Sequence, residues 1–225
     1  MQLRGRGTLL FTGTTGPTGS ICGRGSRRGD NGDPHGQDRG IRFRLRQPRY
    51  LAFTKLPVIA AQTGAAIVWR PMLLGGVFKA TGNSSPVAVS AKGRWMFNDI
   101  ARCARRYGVP LAFYPHFPVK TLTLMHGAAG LLQRRPAGFG RCCTAVFSAL
   151  CQQQMNLGDP AVLAAVLLEA GFDTEAFSAL VADPEVKAAR VATTEDAVAR
   201  GVFGAPTFVV GEPVFFGHDR GSTSS

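Results

Sequence analysis

The residues able to do chemistry gather towards the C-terminal end. Val202-Phe203-Gly204-Ala205-Pro206-Thr207-Phe208-Val209-Val210 sets a proline just after a glycine, at the head of an aromatic and β-branched run. Proline is accepted at the first position of a strand. The run is compatible with an ordinary turn, but the flanking elements favour a cis Ala205–Pro206 bond, an isomer that folded proteins keep for specific turns. Further on, Phe216-Gly217-His218-Asp219-Arg220 carries a carboxylate suited to an ammonium partner. By residue type alone Asp219 reads as a solvated acid or N-cap, and Asn83 as a turn-capping amide. His116 and His126 read as surface or satisfied core residues, and Lys79 and Lys92 as surface lysines. The five cysteines are Cys22, Cys103, Cys142, Cys143 and Cys151. None forms a C-x-x-C pair, which speaks against a dithiol oxidoreductase. Their odd number and loose spacing fit a reducing compartment, so a cytoplasmic location is expected. No histidine stands at ligand spacing from a cysteine, so no metal is expected.

The elements that must position these groups follow from periodicity. Ile41, Phe43 and Leu45 alternate with arginines, which is strand period. Helical pattern then runs from Tyr50 to Thr63, with Pro57 inside it, and Gly64 closes it. A short β-branched and aromatic run follows at Ala66 to Arg70. Helices are expected over 92–107, 122–132 and 140–153. Asp159-Pro160 and Asp183-Pro184 each pair an N-cap with proline at the first helical position, opening helices that stop at Gly171 and Gly201. Thr207–Val210 and Val214–Phe216 then read as a hairpin around Gly211-Glu212-Pro213.

Charge is unevenly spread. The net charge is +12 over 225 residues, and ten of the 26 basic residues fall in the first 50, against three Asp. Residues 1–40 also hold eleven of the 28 glycines. They are expected to be a disordered Gly/Arg-rich head, and without interleaved aromatics they give no reason to expect nucleic-acid binding. No run is long and apolar enough to suggest a membrane span.

The order βαβ, helices, ββ is that of a thioredoxin-like α/β fold with an inserted all-helical domain. Three further runs strengthen a resemblance to a family: Arg70-Pro71-Met72-Leu73-Leu74-Gly75-Gly76-Val77-Phe78-Lys79-Ala80-Thr81-Gly82-Asn83, Asn156-Leu157-Gly158-Asp159-Pro160, and Phe216-Gly217-His218-Asp219-Arg220. With the Ala205–Pro206 run, they resemble the 2-hydroxychromene-2-carboxylate isomerases and kappa-class glutathione transferases of the DsbA-like thioredoxin superfamily. The likeness spans roughly Tyr50 to Arg220. It implies residues 41–77 and 202–220 as the thioredoxin-like domain, 78–201 as a mainly helical insert and 221–225 as a tail.

The resemblance also implies an activity. Glutathione is the expected cofactor and an aromatic hydroxy-enone acid the expected substrate, isomerised from cis to trans; the alternatives are kappa-type conjugation or an inactive relative. Asn83 is expected to hydrogen-bond glutathione. Ala205, ahead of Pro206, is expected to pair with its cysteinyl backbone, and His218 and Asp219 to hold its γ-glutamyl end. A homodimer is expected, without nucleic-acid or membrane partners. The family places a serine at the start of the first helix, beside the thiolate; here Arg46-Gln47-Pro48 stands there, and Gln47 takes that catalytic position. Codons for Asp-Phe-Ala-Ser-Pro read one base early give Arg-Leu-Arg-Gln-Pro, the run ending at Pro48, so a shifted frame before Tyr50 is expected. After Arg220 the family continues into a closing helix, whereas this sequence reads Gly-Ser-Thr-Ser-Ser.

Overall fold

The computed structural model describes residues 7–13, 47–115 and 122–219. Four strands form one sheet: β1 (Gly7–Gly13), β2 (Ile67–Leu73), β3 (Thr207–Val210) and β4 (Val214–Phe216). Their order across the sheet is β2-β1-β3-β4. β1 runs parallel to β2, from Gly7 beside Ile67 to Gly13 beside Leu73. It runs antiparallel to β3, with Leu10 beside Thr207, and β3 runs antiparallel to β4, with Phe208 beside Phe215. Pro71 interrupts the donors of β2, which is tolerated because β2 lies at the sheet edge. This is the thioredoxin-like α/β sheet expected from the element order.

The first strand corrects the sequence reading. Residues 7–13 fall inside the segment expected to be a disordered head, yet they form the strand between β2 and β3. The expected strand at Ile41, Phe43 and Leu45 lies outside the described residues. A central strand between a parallel and an antiparallel neighbour favours continuous apolar character. Leu9-Leu10-Phe11 supplies it; a run with arginine at every second position does not.

Eight helices are described: α1 (Gln47–Thr63), α2 (Leu74–Thr81), α3 (Ser90–Tyr107), α4 (Leu122–Arg134), α5 (Pro136–Cys151), α6 (Pro160–Glu169), α7 (Thr174–Ala182) and α8 (Pro184–Ala199). A 3-10 turn, Pro86–Ala88, precedes α3. The six expected helices all form, their ends shifted by a turn at most, and α1 continues through Pro57. Asp159 caps α6 by accepting from Ala161 N–H at 2.8 Å, and Asp183 caps α8 by accepting from Glu185 N–H at 2.8 Å. α2 and α7 had not been anticipated. Gly75 and Gly76 mask the first; the second announces itself only through Asp173, which accepts from Glu175 and Ala176 N–H at 2.9 and 3.1 Å.

Three apolar clusters hold these layers. The largest, around Tyr50, Phe139, Phe147, Leu157 and Phe177, fills the helical part. Cys142 and Cys143 are both buried in it. A second cluster of Met72, Val77, Ala197, Val202 and Val209 joins β2 and β3 to α2 and α8. So α8, counted with the insert in the sequence reading, packs against the sheet as well. The third, Leu51, Ile100 and Ala104, ties α1 to α3. None of the described helices is long and apolar enough to cross a membrane.

Candidate functional site

The loop entering β3 is built by short-range locks. Its Ala205–Pro206 bond is cis. Thr207 Oγ1 donates to Gly204 O at 2.8 Å, closing the loop from within. Gly217 N–H donates to Pro206 O at 3.1 Å, which brings the segment after β4 alongside. Asn83 Nδ2 donates to Phe203 O at 2.9 Å, bringing the end of α2 to the same loop across 120 residues. Gly204 lets the Phe216 ring lie close: a Cβ there would come within 2.7 Å of it, and the ring would have to move. That ring lies 4.8 Å from the ring of Phe203, and both are largely exposed. Ala205 between these locks is half-buried, and among the described residues nothing hydrogen-bonds to its N–H or C=O. A main-chain donor and acceptor left open in this way favour an incoming extended backbone.

Hydrogen bonds bring Asn83 and, through Gly217, the segment carrying His218 and Asp219 to the loop, and among the described residues none joins Gln47 to it. Asn83 spends one amide hydrogen on Phe203, and its Oδ1 accepts from Ser84 N–H at 2.8 Å, so one amide N–H is left for a ligand. Gln47 is the first residue of α1, only 1% exposed, and its Oε1 is buried without a hydrogen-bond partner. A helix N-terminus presents unpaired N–H groups and positive potential, which favour an anion such as a thiolate. Three residues further on, Tyr50 is anchored in the core, its hydroxyl accepting from Gln152 Nε2 at 2.6 Å. His116 lies outside the described residues, as does Arg220.

The segment after β4 meets α3. Asp219 is exposed and acts electrostatically on Cys103 and Tyr107 of that helix. His218 is half-buried with its Nε2 unpartnered; burial lowers its pKa, against the opposing pull of Asp219 and Asp99. Burial raises the Cys103 thiol, assisted by Asp99 and Asp219 and countered by Arg102 and Arg106. One potential ligand atom from each of Asp99, Cys103 and His218 lies within 4.8 Å of the others. The sequence reading looked for histidine near cysteine along the chain and so missed this group. The only local hint is the spacing of Asp99 and Cys103, one turn apart on α3. Cys142 and Cys143 are no nucleophiles: burial pushes the first up to about 12 and the second well above its ordinary value.

A sheet of this order, with an unbonded residue ahead of a proline at the head of β3 and helices between its halves, defines a thioredoxin-fold protein of the DsbA-like kind. Residues 49–224 match the DSBA-like thioredoxin domain. The 2-hydroxychromene-2-carboxylate isomerase of Sphingobium xenophagum is 31% identical over 173 residues, covering 76% of this chain and 87% of that one. Glutathione S-transferase kappa 1 of Homo sapiens is 28% identical over 167 residues, 67% of this chain and 72% of that one. A solved 2-hydroxychromene-2-carboxylate isomerase structure superposes with a TM-score of 0.70 at 21% identity, over 95% of this chain and 89% of that one. The chain therefore belongs to the DsbA-like thioredoxin-domain family, alongside the 2-hydroxychromene-2-carboxylate isomerases and kappa-class transferases. Its relatives are isomerases and transferases, which supports an enzyme.

Proposed function

We propose that the chain is a glutathione-dependent cis-trans isomerase acting on 2-hydroxychromene-2-carboxylate-type aromatic hydroxy-enone acids. The observation that carries this reading is Ala205, whose main-chain N–H and C=O stand open among the described residues, in a locked loop at the head of β3. The similarity to an isomerase of that name supports it.

The residues present fit a tripeptide thiol. The backbone at Ala205 suits its extended cysteinyl unit, paired as a short added strand. The remaining amide N–H of Asn83 suits a peptide carbonyl. Asp219 suits the free α-ammonium, a charge-assisted contact, and His218 stands next to it. Gln47, at the positive end of α1, donates an amide N–H to the sulfur where relatives in this reading use a hydroxyl. Bound glutathione supplies a thiolate, whose reversible addition to a conjugated alkene frees the carbon–carbon bond to rotate. The chain orients the two reactants, holds sulfur as the anion and excludes water. Phe203 and Phe216 give an apolar surface beside the loop for an aromatic ring. A homodimer belongs to the same proposal and is read by light scattering on the eluting protein.

The test is calorimetry with glutathione followed by a spectrophotometric assay with the chromene carboxylate, with and without the thiol. Glutathione binding and thiol-dependent turnover are expected. A folded protein that takes up no glutathione would instead be an inactive relative. The likeness to a kappa transferase favours one other reading, conjugation. Turnover of a chlorinated nitrobenzene without turnover of the chromene carboxylate would establish that instead.

A further inference from the structure

We propose that Asp99, Cys103 and His218 form a three-ligand site for a zinc-type divalent cation, with the fourth position open to water or a small anionic ligand. The three side chains come from two segments far apart in sequence, and their ligand atoms are all within 4.8 Å of one another. Asp99 and Cys103 share one face of α3 at a spacing of one turn. His218 reaches them from the segment after β4, just past Gly217, whose left-handed φ of 113° turns the chain.

The donor set points to the metal. Thiolate, imidazole and carboxylate together suit Zn²⁺ rather than Ca²⁺ or Mg²⁺, which prefer oxygen alone. In a tetrahedral zinc site, bonds of about 2.0–2.3 Å put neighbouring ligand atoms roughly 3.3–3.8 Å apart. The three groups therefore need to draw together by about 1 Å, which side-chain rotation at half-buried positions allows. Among the described residues no hydrogen bond joins the three to one another, and His218 Nε2 is buried without a partner. Asp99 Oδ1 accepts from Arg102 at 3.0 Å, an exposed pair between residues three apart that yields readily. Arg102 and Arg106 oppose a cation here; Asp99, Asp219 and a metal-bound thiolate outweigh them. The inference is independent of the glutathione reading, save that the His218 imidazole then serves the cation and leaves Asp219 to the tripeptide.

Cobalt is the direct probe. Full-length protein freed of metal by chelation is titrated with Co²⁺, and Zn²⁺ affinity is measured by competition with a chromophoric chelator. The expected result is one equivalent bound, with a thiolate-to-cobalt charge-transfer band in the ultraviolet and the intense visible bands of a tetrahedral ion. Cys103→Ser abolishes the charge-transfer band and weakens Zn²⁺ by at least about 100-fold, the upper end of what losing even an outer-shell partner costs. His218→Ala and Asp99→Asn weaken it too, whereas Cys22→Ser changes nothing. Glutathione affinity of Cys103→Ser stays at the wild-type value, which separates this site from the proposed tripeptide site. A folded protein that develops no cobalt bands, or bands that survive Cys103→Ser, overturns the proposal.

Discussion

Acidification acts on this fold through His126. The imidazole sits on α4, 7% exposed, with Nε2 buried and unpartnered. Burial pulls its pKa from an ordinary 6.5 to about 4, and the nearby charges of Arg190 and Lys187 on α8 add to the effect. Arg190 is itself 5% exposed, with Nε and Nη1 unpartnered, and among the described residues no buried acid relieves the pair. The unfolded chain binds a proton at His126 near pH 6.5, while the folded chain resists until about pH 4. Stability that is whole above pH 6.5 is therefore lost as pH falls from 6.5 to about 4. At ~1.4 kcal/mol per pH unit, the gap caps the loss at ~3 kcal/mol, of which ~2 kcal/mol is gone by pH 5. The assay is urea unfolding at steps from pH 7.5 to 5 for the wild type and for His126→Gln, which stays neutral throughout. Carboxylates titrate alike in both proteins, so the difference between the curves isolates the histidine. It should narrow by ~2 kcal/mol towards pH 5. Parallel curves, or an imidazole resonance for His126 titrating near its ordinary value, would refute the reasoning.

Three further outcomes are expected. Gly127 on α4 has no room for a side chain: a Cβ there would lie 1.9 Å from Cζ of buried Phe177. Gly127→Ala therefore loses more by overpacking than the ~1 kcal/mol it gains in helix propensity, for a net loss of ~2 kcal/mol and a Tm lower by roughly 4–8 °C. Gly140→Ala, with nothing within 4 Å of its Cβ, should instead stabilise, and equal thermal shifts in the two variants would contradict this packing. Asn83→Ala removes the bond to Phe203 O and should weaken glutathione about 10-fold by calorimetry, with little change in Tm because the site is exposed. Gln47→Ser restores a hydroxyl at the head of α1; turnover of the chromene carboxylate should rise about 10-fold or more with glutathione affinity nearly constant.

How much of this was legible depended on whether the signal was local. Asp159-Pro160 and Asp183-Pro184 announced α6 and α8 because cap and proline are adjacent in sequence and act on the same turn. The Ala205–Pro206 loop was legible for the same reason. α2 was hidden by two glycines that weaken helix propensity but suit close packing, Gly76 lying against Thr194 of α8. β1 was missed because a central strand carries no alternation to read, while the arginine-spaced run at 41–46, outside the described residues, carries the alternation the reading looked for. The bond from Asn83 to Phe203 and the gathering of Asp99, Cys103 and His218 were invisible because they exist only once the chain has folded.

The main-chain and side-chain groups of the proposed site differ in what evolution can change. At Ala205 the proposed recognition uses main-chain groups, and any small side chain that fits against the Val202 and Val209 cluster presents the same donor and acceptor. At Gln47, Asn83, His218 and Asp219 the proposed chemistry belongs to side chains, and a single substitution alters it. Thiol binding should therefore outlast changes that remove thiol activation. A chain with Gln47 at the head of α1 is in that position if the proposal holds: its locked loop still presents Ala205, while its rate rests on a carboxamide in place of a hydroxyl. The locks on the loop reinforce the asymmetry. Thr207 holds it from within and Asn83 and Gly217 from its neighbours, so loss of one contact shifts affinity by a fraction of the whole and leaves the others in place. Among the described residues nothing comparable backs up Gln47, whose Oε1 has no partner there. Rate is thus the property most exposed to change at this site, and affinity the one most protected.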